Sequence, residues 1–228
     1  MKNNFFCNSL FFLPLFIFFL SCKKDEAITQ NNNGTSTQTR YVIFKFHFDS
    51  TQARLDNLGN AAVLPSNHSA QHPKMNKMCA HYVELTPTMF TAVGGGKVLY
   101  HAPETTAGGA TAIDHSLSVM KGEGEEFLRI PIDSISPGTY NYLRVSLAYQ
   151  NYTIRYKYVY NSVPFYLNGT IASFVGYNTF INSYLINTQT VTPSAGTGGP
   201  GNHLQGYWGF ETSFNSLVST SDGQSPAG

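Results

Sequence analysis

The sequence predicts an all-β protein, a single antiparallel β-sandwich of immunoglobulin-like or jelly-roll-like architecture. Its periodic segments alternate apolar and polar residues with a period of two, as half-buried strands do. Glycine, proline and asparagine separate these segments at short spacing, which is typical of sandwiches. Aromatic residues make up 14% of the chain and charged residues only 12%, a balance that favours strands because aromatic side chains pack well on sheets.

Nine segments carry the strand pattern. In chain order they are 41–48, 79–85, Lys97–His101, 110–120, 127–132, 142–149, 152–160, 165–174 and 207–211. The clearest is 152–160, whose alternation places four tyrosines and Ile154 on one face. Residues 49–78 show no period and are predicted to form a long connection.

Local turn residues mark the ends of several strands. Asn168 and Gly169 are predicted to close a hairpin inside 165–174, because this dipeptide readily takes the positive φ angles of a type I′ turn. Pro137 and Gly138 predict a turn before the strand at 142–149. The glycine-rich residues 196–201 are predicted to be a flexible loop.

The N-terminal residues have the pattern of a secretory signal peptide. Lys2 precedes an apolar run of 11 residues, 10–20, and Cys22 follows it closely. The run is shorter than the roughly 20 residues that a membrane-spanning helix needs. Residues 19–21 together with Cys22 resemble the lipobox of bacterial lipoproteins. This resemblance implies cleavage after residue 21 and a diacylglyceryl group and palmitate on Cys22.

A short charged segment follows the predicted lipid attachment site. Its residues are Lys23, Lys24, Asp25 and Glu26. They resemble the tag of surface-exposed lipoproteins of the Bacteroidota, which implies an outer-membrane protein on the cell surface. The alternative is an ordinary solvated charge run on a protein that faces the periplasm.

We predict four parts in the chain. They are a signal peptide at 1–21, the lipidated cysteine and a disordered polar tether at 22–40, the β-sandwich at 41–212 and a flexible or truncated tail at 213–228. The leader contains one charged residue, Lys2, so the rest of the chain has 13 basic and 13 acidic side chains. This balance gives no electrostatic footprint for nucleic acid.

Residues 132–145 carry the pattern Ile-x-x-Ile-x-x-Gly-x-Tyr-x-x-Leu-Arg-Val. The pattern resembles the turn and strand of β-sandwich lipoprotein domains, including the copper-associated periplasmic partners of methanobactin uptake. It covers 14 of the 228 residues and agrees with the predicted fold class.

Potential ligands for a soft metal are concentrated in one short segment. They are His68, His72, Met75, Met78, Cys79 and His81. Thiolate, thioether and imidazole groups together suit copper(I). In a regular strand, Cys79 and His81 would project from one face and could bind the same ion. The alternative is that Cys79, the one thiol left once Cys7 and Cys22 are processed, is a buried small hydrophobe.

Tyrosines are more numerous in the second half of the chain than a core requires. Among the aromatic residues we predict Tyr207 and Trp208 as stacking positions for a ligand, because these side chains combine an apolar face with a polar tip. The alternative is that aromatic residues fill the interior through cross-strand pairs.

Together these patterns predict an outer-membrane lipoprotein whose sandwich is a binding or structural module, with a glycan or a partner protein as ligand and without a cofactor. We expect no enzymatic activity, because the chain lacks the G-x-S-x-G and H-E-x-x-H motifs. A copper-binding lipoprotein is the first alternative. The second is a hydrolase, for which the candidate carboxylates are Glu84, Glu104, Asp114 and Glu211.

Overall fold

A computed structural model describes residues 39–56, 58–194 and 199–225. In this part of the chain the structure consists of fourteen strands and two short 3-10 helices, His115–Leu117 and Ile132–Ser134, and it has no α-helix. The strands are β1 Tyr41–Lys45, β2 Lys74–Thr86, β3 Lys97–His101, β4 Glu104–Thr105, β5 Ala112–Asp114, β6 Glu126–Pro131, β7 Tyr142–Tyr160, β8 Val163–Phe174, β9 Asn178–Ile181, β10 Tyr184–Leu185, β11 Thr190–Val191, β12 Gly201–Leu204, β13 Tyr207–Phe214 and β14 Leu217–Gln224.

The main sheet has six strands in the order β14-β13-β8-β7-β2-β3 and is curled into a half-barrel. A second sheet has the order β12-β9-β5-β4, and the pairs β1-β6 and β10-β11 form two small ribbons. Pairing is antiparallel throughout the described strands except between β5 and β9, which run parallel. The predicted all-β, sandwich-like fold is confirmed.

The hydrophobic core contains side chains from both of these sheets. Its buried members are Cys79, Ile113, Ala148, Tyr149, Ala172, Phe174, Ile181, Tyr184, Ile186 and Tyr207. Burial of these large apolar and aromatic side chains supplies most of the stabilisation expected of a sandwich. One face of β7, β8 and β13 therefore packs in the core.

The predicted hairpin at Asn168 and Gly169 is wrong. Both residues lie inside the continuous strand β8, and the chain reverses at Asn161 and Ser162 instead, where φ is +47° and +64°. Gly169 is needed for packing, because a Cβ at this position would collide with the ring of Phe210 on the neighbouring strand β13. The dipeptide that looked like a turn therefore makes room for an aromatic side chain.

Several strand boundaries also differ from the prediction. β2 begins at Lys74, inside the predicted connection 49–78, and one 19-residue strand replaces the two predicted at 142–149 and 152–160. The predicted strand at 110–120 is reduced to β5, because Asp114 accepts a hydrogen bond from the Ser116 amide and starts a 3-10 helix. Pairing with strands distant in sequence sets where these strands begin and end, and local sequence patterns do not reveal that pairing.

The prediction of a flexible tail at 213–228 is wrong for residues 213–224, which lie in a hairpin. β14 pairs with β13 along its whole length, from Phe214 opposite Leu217 to Tyr207 opposite Gln224. The predicted leader, Cys22, the charged tag and nearly all of the tether lie outside the described residues. Within the described residues, no helix is both long and apolar enough to cross a membrane.

Candidate functional site

The predicted soft-metal ligands do not form one site. His72, Met75 and Met78 line an open cleft of about 600 Å³ beside Phe48 and Lys74. The predicted partners Cys79 and His81 point to different surroundings, and the exposed His68 bonds locally to the Ser66 carbonyl through Nδ1. The hypothesis that Cys79 and His81 share an ion is wrong.

Cys79 is a core residue. Its side chain is fully buried, and its thiol donates a hydrogen bond to the Ala80 carbonyl 3.4 Å away. Burial raises the pKa of this thiol to about 11, so the thiol is protonated at neutral pH in the metal-free protein. The alternative interpretation of a buried small hydrophobe is confirmed.

Two irregularities in β2 separate Cys79 from His81. Along β7, Cys79 pairs with Tyr149, Ala80 with Leu147 and Tyr82 with Ser146, so His81 is an extra residue in the ladder. A bulge of this kind changes the direction of the following side chains, and the rule that residues two apart share a face fails there.

His81 instead meets His101 from the edge of the main sheet and Glu104 from the edge of the second sheet. Its Nε2 atom lies 3.0 Å from Oε1 of Glu104, and Nε2 of His101 lies 3.1 Å from the same oxygen. The ligand atoms of the three residues all lie within 4.8 Å of one another. We call this set the His–His–Glu cluster.

Strand pairing and a backbone hydrogen bond position the residues of the His–His–Glu cluster. His101 is the last residue of β3, opposite Tyr82 of β2, whose ring contacts it edge-on at a centroid distance of 5.7 Å. The Ala102 amide donates to the His81 carbonyl at 2.7 Å, and after Pro103 the chain enters β4 at Glu104. The cluster thus lies where the chain passes from the main sheet to the second sheet.

The sequence pointed to His81 as a metal ligand and to Glu104 only as a candidate carboxylate for hydrolysis, and His101 was missed. His101 and Glu104 are close in sequence to each other, and their i, i+3 spacing was the signal that could have identified them. The side chains of His81, Glu104 and His101 are 20%, 32% and 50% exposed, so solvent reaches the cluster.

The four candidate carboxylates for hydrolysis have separate partners. Buried Glu84 pairs with Arg144 at 2.6 Å, and Asp114 caps the 3-10 helix. Glu211 accepts bonds from the amides of residues 187–189, and these bonds together with the Thr188 hydroxyl keep its pKa below the usual value although burial opposes this. Glu104 belongs to the His–His–Glu cluster.

The two predicted stacking residues, Tyr207 and Trp208, differ in exposure. Tyr207 is fully buried, and its hydroxyl donates to Asp222 while its ring stacks on His203 at 4.4 Å. Trp208 is half-buried and packs over Gly223, where a Cβ would lie 2.7 Å from the indole ring. The prediction is wrong for Tyr207 because β13 directs this side chain into the core.

A different group of aromatic side chains is partly open to solvent. It lies near the turns of the β7-β8 and β13-β14 hairpins and consists of Tyr156, Tyr158, Tyr160, Phe165, Phe210 and Phe214. Tyr158 and Tyr160 are 40% and 50% exposed. Their rings are nearly parallel, 19° apart with centroids separated by 6.5 Å. We call this group the hairpin aromatic cluster.

The hairpin aromatic cluster has a packed base. Phe214 contacts Tyr158, Tyr160 and Phe165 with ring centroids at 5.5, 5.9 and 5.0 Å. The Tyr156 hydroxyl bonds to the Thr212 hydroxyl at 2.7 Å. The exposed tyrosines are therefore held in place by neighbouring rings. The alternative that the aromatic residues fill the interior therefore fails for Tyr158 and Tyr160.

No protein-family model, curated protein or solved structure matches this chain.

Proposed function

We propose that this protein is a lipid-anchored binding protein of the outer cell surface that binds a glycan through the hairpin aromatic cluster. The observation that carries the proposal is the pair of half-exposed, nearly parallel rings of Tyr158 and Tyr160. Aromatic faces of this kind stack against the C–H faces of sugar rings, and the hydroxyl tips remain free to form hydrogen bonds.

Polar groups lie near the inner end of the aromatic cluster and favour a glycan as ligand, although Arg155 and Lys157 project from the opposite face of β7 and the cleft meets the cluster only at Tyr156. An open cleft of about 410 Å³ adjoins Tyr156 and is lined by Gln71, Arg155, Lys157 and Tyr166. The Gln71 side chain is fixed by two bonds to the Arg155 backbone, at 2.9 and 3.1 Å. Sugar recognition needs this combination of aromatic surface and hydrogen-bond donors, because each sugar ring has both an apolar face and hydroxyl groups.

The geometry also supports binding without rearrangement. The two tyrosines lie on one strand and rest on Phe214, so little side-chain entropy is lost when a ligand covers them.

The proposed location rests on the lipobox-like residues before Cys22 and on the charged residues 23–26. A polar tether between these residues and the sandwich would allow the cluster to reach a ligand away from the membrane.

The proposal is tested with the full chain, purified in detergent and applied to an array of bacterial and host polysaccharides. We expect retention of at least one polysaccharide, and we expect Tyr158→Ala with Tyr160→Ala to weaken it about tenfold or more through loss of two stacking rings. Tyr177→Ala is the matched control, because Tyr177 is 82% exposed and lies outside the cluster.

Equal binding by the wild type and the double variant would reject the aromatic cluster as the site. If the wild type retains no polysaccharide but cross-links to a protein through this surface, the ligand class is wrong. Incorporation of labelled palmitate tests the anchor separately, and Cys22→Ala should abolish it.

A further inference from the structure

We propose that the His–His–Glu cluster of His81, His101 and Glu104 is a binding site for a divalent transition-metal ion, with zinc as its simplest occupant. The site is separate from the proposed glycan surface and differs from the copper set predicted from sequence. It shares only His81 with that set, and it includes neither a thiolate nor a thioether.

Distances within the cluster suit zinc. Zinc bonds of 2.0–2.1 Å in a tetrahedral site place neighbouring ligand atoms about 3.3 Å apart. Here Nε2 of His81 and Nε2 of His101 lie 3.0 and 3.1 Å from Oε1 of Glu104. All three ligand atoms fall within 4.8 Å of one another. An ion bound between them would draw the three atoms to about 3.3 Å from one another, a side-chain adjustment of at most about 1.5 Å.

The ligand types select the ion. Two imidazoles and one carboxylate are borderline ligands that suit zinc and related divalent ions, whereas calcium and magnesium prefer all-oxygen sites. Three protein ligands leave a fourth tetrahedral position for water or for a group of a bound molecule. Solvent can reach that position, because His101 is half exposed.

A second histidine–carboxylate pair, His47 and Glu123, is an ordinary surface contact and serves as a comparison. His47 Nδ1 lies 2.6 Å from Glu123 Oε1, but the two side chains are 81% and 53% exposed, and among the described residues no third ligand joins them. In the His–His–Glu cluster, two imidazoles converge on one carboxylate oxygen. Convergence of three ligand atoms, with His81 only 20% exposed, distinguishes the proposed site from a solvated ion pair.

The fold preorganises the three ligands. The bulge in β2 reorients His81, cross-strand pairing with Tyr82 fixes His101, and the short link through Ala102 and Pro103 positions Glu104. Each ligand thus comes from a separate, hydrogen-bonded backbone position, as a metal site requires.

Zinc binding to the chelator-treated full chain, measured by isothermal titration calorimetry, tests the proposal. We expect one saturable zinc ion per chain, and at least tenfold weaker binding in His101→Gln and in Glu104→Gln. His47→Gln is the matched control, because it removes a histidine from the other pair, and it should leave the affinity unchanged. Far-ultraviolet circular dichroism of each variant should retain the strand spectrum.

Cobalt substitution provides a second readout. Bound cobalt should give the visible absorption of a nitrogen and oxygen site without a thiolate-to-metal charge-transfer band, since Cys79 is buried elsewhere. The proposal is overturned if zinc does not saturate a site, if His47→Gln weakens binding as much as His101→Gln, or if cobalt shows a thiolate band.

Discussion

Two aromatic clusters in this protein have similar ring contacts but very different exposure. In the core, Phe174 contacts Tyr149, Tyr184 and Tyr207 with centroids at 5.1, 5.2 and 5.5 Å. At the hairpin ends, Phe214 makes three contacts at 5.0 to 5.9 Å. Phe174 is 1% exposed, whereas Tyr160 beside Phe214 is 50% exposed.

This difference distinguishes the contribution of ring contacts to folding stability from the contribution of burial. Aromatic pair geometry adds about 0.5–1.5 kcal/mol per pair in both clusters. Removal of apolar surface from water adds about 25 cal/mol per Å², and the core cluster gains far more of it because it is enclosed between sheets. The core rings are therefore expected to stabilise the fold, while the hairpin rings remain available for a ligand.

The largest expected effect comes from truncating the central ring of each cluster. Phe174→Ala should lower the free energy of unfolding by about 3–5 kcal/mol, because it leaves a cavity in a fully buried site. Phe214→Ala should cost only about 1–2 kcal/mol, since its partners are open to solvent and can relax. Chemical denaturation of both variants measures this difference. Equal losses would mean that burial does not distinguish the clusters.

The second prediction concerns the rim of the core cluster, where His115 packs against Phe174 and Tyr149 with centroids at 5.0 and 5.5 Å. Burial lowers the pKa of His115 from 6.5 to about 4, although the charge of Asp114 opposes this. The folded state therefore disfavours the protonated form. The neutral His115 side chain makes its full contribution to stability above pH 6.5, and this contribution is lost as the pH falls toward 4.

Unfolding free energies measured from pH 7.5 to 4 should show this loss, about 2 kcal/mol after allowance for partial exposure of the ring. His115→Gln should flatten that part of the profile. His47→Gln is the control, because the hydrogen bond to Glu123 raises the pKa of His47 and gives the opposite sign, with stability lost as pH rises. A slope that His115→Gln leaves unchanged would contradict the assignment.

Local pattern predicted the fold class because strand alternation is a short-range property. The alternation of 152–160 became the outer half of β7, and Lys97–His101 was predicted with its observed bounds. Pattern failed where long-range packing decides the conformation. Asn168 and Gly169 form part of a strand because the ring of Phe210 fills the space beside Gly169, and no residue near them in sequence reveals this.

The candidate sites were less predictable than the fold, for the same reason. Two irregularities in the β2-β7 ladder were enough to send Cys79 and His81 to different surroundings, and such irregularities depend on pairing with another strand. The partners of His81 lie 20 or more residues away and meet it only after β3 and β4 are placed. The exposed tyrosines were noted in the sequence, but which of them stay outside depends on where the second sheet ends.

The smallest expected effect concerns the turns that carry the hairpin aromatic cluster. Ser162 and Ser216 end the two hairpin turns, each with φ at +64°. A left-handed conformation costs a residue with a Cβ roughly 1 kcal/mol, and glycine avoids this cost but loses more chain entropy on folding. Ser162→Gly should therefore raise the free energy of unfolding slightly, by about 0.5 kcal/mol.

Ser219→Gly is the control, because Ser219 lies inside β14, where glycine should destabilise by about 0.5–1 kcal/mol. Denaturation midpoints at constant slope give both values, and the two substitutions should have opposite signs. Destabilisation of similar size in both variants would show that the turn at Ser162 does not hold a left-handed conformation, and the hairpins that present Tyr158 and Tyr160 would need another explanation for their rigidity.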